Sequence, residues 1–124
     1  MRLLLDTHVL LWWMADRRLS RRVHAAIASP ANQVFVSAAT AWEMSIKQAL
    51  GRLDAPADLP AQLESNGFMA LPITVAHGLA AGALPRHHDD PFDRMLIAQA
   101  LVEDLTVASR DERFAAYGVA VLAA

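Results

Sequence analysis

The chain has 124 residues, a formal net charge of −2, no cysteine, and 55% hydrophobic residues. That length fits one compact domain, residues 1–124, and the apolar content excludes intrinsic disorder. The lack of cysteine excludes disulfide scaffolds, thiolate zinc sites and cysteine nucleophiles, and fits a reducing compartment.

The first fifteen residues place Arg2 ahead of leucines, as a signal peptide does. Asp6 and His8 interrupt that run, whereas a signal core needs about 7–15 unbroken apolar residues. No stretch nears the ~20 apolar residues of a membrane span, so the expectation is a soluble cytoplasmic protein. Arg2 to Leu5 reads as a strand buried on both faces. Thr7 to Ala15 and Leu19 to Ala28 read as helices, the second with an Arg-rich start. Gln33 to Val36 is a strand, and Ser37 caps a helix over Ala38 to Leu50 that Gly51 terminates. Pro56 to Pro60 is the densest breaker cluster and reads as loop, leading into a helix at Asp58 to Asn66 closed by Gly67. Met69 to Ile73 is a strand weakened by Pro72, and Thr74 to Ala83 a helix. After the loop Leu84 to Asp90, Asp90 caps a helix with Pro91 at its first position, running to Glu103. Leu105 to Ala108 is strand, Glu112 to Tyr117 a short helix, and Val119 to Leu122 a last strand. Strands alternating with helices predict an α/β protein, a three-layer α/β/α domain around a parallel sheet.

Ligands of open α/β sheets bind beyond the carboxyl ends of the strands. Asp6 ends the first strand, Asp111 follows the fourth, and Asp93 sits at the third position of the helix that Asp90 caps. Each has an ordinary reading as a helix cap or a compensator of the helix dipole. Glu43 is odder, since it shares a stripe with Ala39, Ile46 and Leu50. A carboxylate facing a core is costly unless paired, and Lys47 at i+4 is one available partner. Carboxylates converging at one sheet edge call for cations, and oxygen donors without thiolates suit Mg²⁺ or Mn²⁺. Such ions support hydrolysis of phosphodiesters.

The segments LLLDTHVLLWW, VSAATAWEMSIKQALGRL, LPRHHDDPFDRMLIAQAL and SRDERFAAYGV together resemble the PIN-domain nucleases, and more closely the VapC-type toxins of bacterial toxin–antitoxin pairs. The resemblance runs nearly end to end, and DPFDRMLIAQA is its most specific part. It implies an α/β/α fold, Mg²⁺- or Mn²⁺-dependent endoribonuclease activity, a homodimer, and inhibition by a small antitoxin that binds DNA. By motif it carries the catalytic and metal-binding roles onto Asp6, Glu43, Asp93 and Asp111. Ser109, two residues before Asp111, stands where the pattern often has Thr.

Other candidates are weaker. His87 and His88 are adjacent, and His8, His24 and His77 lack ligand spacing with them, which disfavours structural zinc. The resemblance puts His88 at the cleft rim, where it either contacts substrate or is a solvated loop residue. Ser37 lacks a nucleophile elbow and reads as a cap, with phosphate contact the minor alternative. Arg17, Arg18, Arg21 and Arg22 form either a solvated helix start or a surface for RNA or an acidic partner. Arg94, Arg110 and Arg113 lie beside the predicted acids and are candidates to meet phosphates. Two divalent ions would turn a charge of −2 into +2 (−2 + 4), removing the objection to RNA binding. Trp12 and Trp13 read as core side chains, but they point roughly 100° apart on a helix, so the alternative is that one faces a dimer or antitoxin surface. Two other classes stay open: a catalytically silent PIN-like binding module, and an Asp-nucleophile phosphatase or phosphotransfer domain. His8 two residues after Asp6 and the position of the only lysine, Lys47, count against the last.

Overall fold

The computed structural model describes residues 1–16, 19–54 and 58–124. Arg17 and Arg18 of the basic cluster, and residues 56–57 of the expected 56–60 loop, lie outside the described residues. Within that loop, Asp58 is already a helix cap and Pro60 lies in the first helical turn.

The elements in chain order are β1 (Arg2–Leu5), α1 (Thr7–Met14), α2 (Arg21–Ala28), β2 (Gln33–Ser37), α3 (Ala38–Ala49), α4 (Leu59–Asn66), β3 (Met69–Leu71), α5 (Val75–Ala83), α6 (Pro91–Glu103) and β4 (Thr106–Ser109), then a 3₁₀ helix (Glu112–Tyr117) and β5 (Val121–Ala123). All strand pairings are parallel, in the order β3-β2-β1-β4-β5. The α/β/α expectation holds.

β1 is the centre of the sheet because its apolar run serves both faces. Leu3, Leu4 and Leu5 are each 0% exposed, and successive side chains of a strand point to opposite faces. Leu3 and Leu5 join Val9, Leu10, Val23, Ile27, Met44 and Phe68 on one face. Leu4 joins Phe35, Leu96, Ile97, Val107 and Phe114 on the other. Register supports this, with Leu4 between Phe35 of β2 and Val107 of β4. Cutting any of these leucines to alanine would cost about 2–5 kcal/mol.

The chain leaves β1 toward β2 on one side and returns to β4 on the other. The strand order therefore reverses between β1 and β4, and a crevice opens at their carboxyl ends. A polar chain links the end of β2, α6 and the segment after β3. The Ser37 hydroxyl donates to Gln99 Oε1 at 2.6 Å, and the Gln99 amide donates to the Pro72 carbonyl at 3.3 Å. His77, 1% exposed, contacts Glu103 at 2.8 Å. Ser37 also accepts the Ala39 N–H, so it is a fully engaged cap and not a phosphate contact.

A candidate acidic active site

Asp6 leaves β1 and caps α1. Its Oδ1 accepts the Val9 N–H at 2.8 Å, and its Oδ2 accepts the Ser109 hydroxyl. Asp6 is 5% exposed, and burial pushes its carboxyl above the ordinary value of 3.8 despite these donors. Ser109 ends β4 and also accepts the Asp111 N–H at 3.0 Å. One hydroxyl thus ties the acid after β1 to the acid after β4.

Glu43 lies on α3 and is also 5% exposed. Its Oε1 accepts the Thr7 hydroxyl at 2.6 Å, and its Oε2 pairs with Lys47 at 2.8 Å. The Lys47 pairing anticipated from spacing is present, and it coexists with a buried bond to the residue after Asp6. The stripe is narrower than expected, since Leu50 is 60% exposed; the buried face is Ala39, Thr40, Glu43 and Met44.

Asp93 stands in the first turn of α6, whose cap Asp90 accepts the N–H groups of Phe92 and Asp93. Burial is the main reason its carboxyl is pushed from 3.8 up to about 6, with repulsion from Asp90, Asp6 and Glu43 adding to it. The Asp93 carboxylate of α6 therefore feels both the carboxylate at the end of β1 and that of α3. Asp111 caps the 3₁₀ helix and goes the other way. The Arg113 guanidinium holds it from both oxygens, and its carboxyl falls to about 2.

His88 lies between the last two acids. Its Nε2 is 2.8 Å from Asp93 Oδ2 and 3.5 Å from Asp111 Oδ2. Neither approach has hydrogen-bond direction, so this buried nitrogen is unpartnered. One atom each from His88, Asp93 and Asp111 lie within 4.8 Å of one another, a spacing compatible with a metal ion. The ring's Nδ1 accepts the Asp90 N–H at 3.2 Å, which assigns the proton of the neutral ring to Nε2. In that tautomer His88 offers a donor to the cleft, and carboxylate oxygens are the available ligands. Asp93 and Asp111 are the carboxylates of that group, and their oxygens are of the kind that hard divalent ions take.

The arginines depart from expectation. Arg94 does not face the cleft to meet phosphate. Its guanidinium donates to the carbonyls of Ala81, Leu84, Pro85 and His88 at 2.9–3.3 Å, and reaches the Tyr117 hydroxyl at 3.5 Å. It fastens the loop that carries His88. Arg110 lies over the Trp12 ring at 4.1 Å and donates to the Ala124 carbonyl. Arg113 is committed to Asp111. Trp12 and Trp13 are both half-buried, and Trp13 donates to Asn66 of α4 at 3.0 Å. The most exposed large apolar side chains are Val75, Leu79 and Trp42. Sequence reasoning missed Thr7 and Gln99. The only signal for Thr7 was its place beside Asp6.

A family model described as PIN domain matches residues 3–120. No curated relative matches the chain. Among solved structures, the chain is similar to DNA-bound VapBC from Salmonella typhimurium (TM-score 0.72, 16% identity, covering 99% of this chain and 98% of that one). It is also similar to promoter-DNA-bound VapBC2 from Rickettsia felis (TM-score 0.71, 12% identity, 99% and 98%). FitAcB from Neisseria gonorrhoeae gives a TM-score of 0.68 at 24% identity, covering 97% and 96%. At these identities the likeness speaks to the fold.

Proposed function

This chain belongs to the PIN domain family, and from that premise we propose that it is a Mg²⁺- or Mn²⁺-dependent endoribonuclease, the toxin of a toxin–antitoxin pair. The observation that carries the reading is the gathering of Asp6, Glu43, Asp93 and Asp111 around the crevice between β1 and β4. Solved VapBC and FitAcB relatives with the same fold support the toxin assignment.

The carboxylates of Asp6, Glu43, Asp93 and Asp111 would hold the ion. A bound divalent cation supplies Lewis-acid stabilisation of the charge that builds on a phosphodiester during hydrolysis. The chain's own residues do the positioning. Val9 N–H and Ser109 fix both oxygens of Asp6, so its carboxylate cannot swing away. Thr7 and Lys47 do the same for Glu43. Asp93 is held in a partly buried setting beside three other carboxylates, and so gains from an added positive charge. His88 presents a fixed N–H to the mouth between Asp93 and Asp111.

Two further surfaces support partners. An apolar groove of about 690 Å³ opens between α3 and α4, lined by Met44, Leu59, Leu63 and Phe68. It lies apart from the acidic cleft and suits an apolar segment of an antitoxin. Exposed Val75 and Leu79 on α5 offer an apolar face for a second copy of the chain. Trp12 and Trp13 on α1 are half-buried, which moves the proposed antitoxin contact toward the groove. No helix among the described residues is long and apolar enough to cross a membrane.

The test is cleavage of single-stranded RNA by purified protein with MgCl₂, MnCl₂ or EDTA, beside Asp6→Asn and Asp93→Asn. Asn remains a good helix cap, so circular dichroism should be unchanged for Asp6→Asn while cleavage falls below detection. Metal-dependent cleavage surviving in both variants would reduce the acids to caps and end the catalytic reading.

A further inference from the structure

Among the buried side-chain nitrogens and oxygens of the described residues, only His88 Nε2 lacks a hydrogen-bond partner. The side chain is 4% exposed. A buried donor left unsatisfied costs about 1–3 kcal/mol, so folded chains seldom keep one without a use for it.

The ring is not free to turn away and find a partner. Its Nδ1 accepts the Asp90 N–H at 3.2 Å. The His88 carbonyl accepts Arg94 at 3.3 Å and the Tyr117 hydroxyl at 3.5 Å. Asp90 is fixed in turn, because it caps α6 by accepting the Phe92 and Asp93 N–H groups. These holds leave Nε2–H beside Asp93 Oδ2 and Asp111 Oδ2, at 2.8 and 3.5 Å, without hydrogen-bond direction to either. The segment that sets Asp93 in the first turn of α6 thus also sets this donor.

The surroundings narrow the acceptor. A ring nitrogen that carries its proton donates and does not ligate a metal. His88 lines a cavity of about 420 Å³ with Arg86, His87, Asp89, Asp90 and Arg113, so a ligand has room to reach it. An anion alone would be repelled by Asp93 and Asp111. A phosphate oxygen escapes that objection, because it enters with the divalent ion that the carboxylates would hold. Charge grows on that oxygen during hydrolysis, and a preformed donor is worth most where charge develops.

We propose that His88 is a catalytic residue whose Nε2–H donates to a non-bridging oxygen of the phosphodiester as water adds to phosphorus. The proposal rests on the ribonuclease reading and gives its acidic centre a neutral donor. Water supplies the oxygen that joins phosphorus, one ester P–O bond breaks, and the departing oxygen takes a proton from that water. His88 keeps its own proton throughout, so it acts by hydrogen bonding and not as an acid or base.

The experiment compares wild type with His88→Ala and His88→Gln, since glutamine keeps an N–H near the Nε2 position. Circular dichroism reports the fold, and the Mg²⁺ concentration at the midpoint of the Tm rise reports the ion. Cleavage of a short RNA gives kcat and KM. Losing one donor to a developing oxyanion costs roughly 10²–10³-fold in kcat. His88→Ala should fall by that factor with KM and the Mg²⁺ midpoint little changed, and His88→Gln should recover a large part of the loss. In wild type, the Nε2 NMR signal of His88, identified by its absence from His88→Gln, should move when inorganic phosphate is added in MgCl₂ and stay in EDTA. That measurement stands even where His88→Ala does not fold. A kcat near wild type in His88→Ala, equal losses in the two variants, or an Nε2 signal blind to phosphate overturns the donor alone. So does a loss matched by an equal shift of the Mg²⁺ midpoint, which would make His88 a positioning residue for Asp93. A wild type that cleaves no RNA in MgCl₂ or MnCl₂ overturns the ribonuclease reading, and the donor falls with it.

Discussion

Replacing Asp93 by Asn should stabilise the metal-free protein at neutral pH. In the unfolded chain Asp93 ionises freely, whereas the folded state holds the same charge against burial and against Asp90, Asp6 and Glu43. The difference between 3.8 and about 6 corresponds to roughly 3 kcal/mol. The side chain keeps 22% of its exposure, and relaxation around it shares the cost, so the measurable gain is about 1–2 kcal/mol. For a domain of this size that raises Tm by roughly 5 °C. The sign with pH follows from proton counts. Between 3.8 and about 6 the folded state binds more protons than the unfolded state, so wild-type stability falls as pH rises through that window. Urea denaturation in EDTA, followed from pH 4 to pH 8, should show little gap between the two proteins at pH 4 and a full gap above pH 6.5. Saturating Mg²⁺ should reverse the ranking, because the ion stabilises the wild-type folded state by mass action. A variant no more stable than wild type at pH 7 in EDTA, or a gap that does not change with pH, would refute the crowding of charge at this site.

Arg94→Lys loses the forked donation to four carbonyls and should cost about 2–3 kcal/mol; faster trypsin cleavage after Arg86 would report the loosened loop, and an unchanged cleavage rate would mean the loop holds without it. Gln99→Leu leaves the buried Ser37 hydroxyl without its acceptor and should cost about 1–3 kcal/mol in urea denaturation. Arg113→Ala should let the Asp111 carboxyl rise from about 2 toward 3.8, read by an NMR titration of that carboxyl; a value still near 2 would show that the guanidinium is not the cause. The pair's support is present above pH 3.8 and fades as pH falls toward 2, so the variant's deficit against wild type should be full above pH 3.8 and should close as pH falls toward 2.

Local signals located most elements closely. Asp90 followed by Pro91 marks the start of α6, and Gly67, with φ of 69°, closes α4 as its position suggests. Departures have local causes. β3 stops at Leu71 because Pro72 has no N–H for a ladder. β5 begins at Val121, two residues late, because Gly118 (φ 75°) ends the 3₁₀ helix and Val119 then turns into the core, 7% exposed. Asp6, Asp93 and Asp111 were legible because each stands at an element boundary where a cap or a site residue belongs, and Glu43 because a carboxylate on a buried helical stripe is costly. The arginines were not. Proximity to Asp93 in sequence suggested phosphate for Arg94, whereas its partners are carbonyls gathered by the loop at 84–88, and only the path of that loop reveals them. His88 was ambiguous for a similar reason: of two adjacent histidines, His87 stacks edge-on against Tyr117 and His88 turns inward. Trp42 drew no notice beside the Trp12–Trp13 pair, since exposure depends on what the rest of the chain leaves uncovered.

Three of the carboxylates at the crevice also begin helical segments, with Asp6 on α1, Asp90 on α6 and Asp111 on the 3₁₀ helix. Each therefore has main-chain N–H groups holding it in place before any cation arrives, and α1 and α6 bring about half a positive charge each at their starts. The crevice is assembled by the backbone and is not waiting for an ion to organise it. Loss of the ion should then silence the protein without unfolding it, and its return should restore action as fast as the ion can bind, with no refolding step between the idle and the working chain.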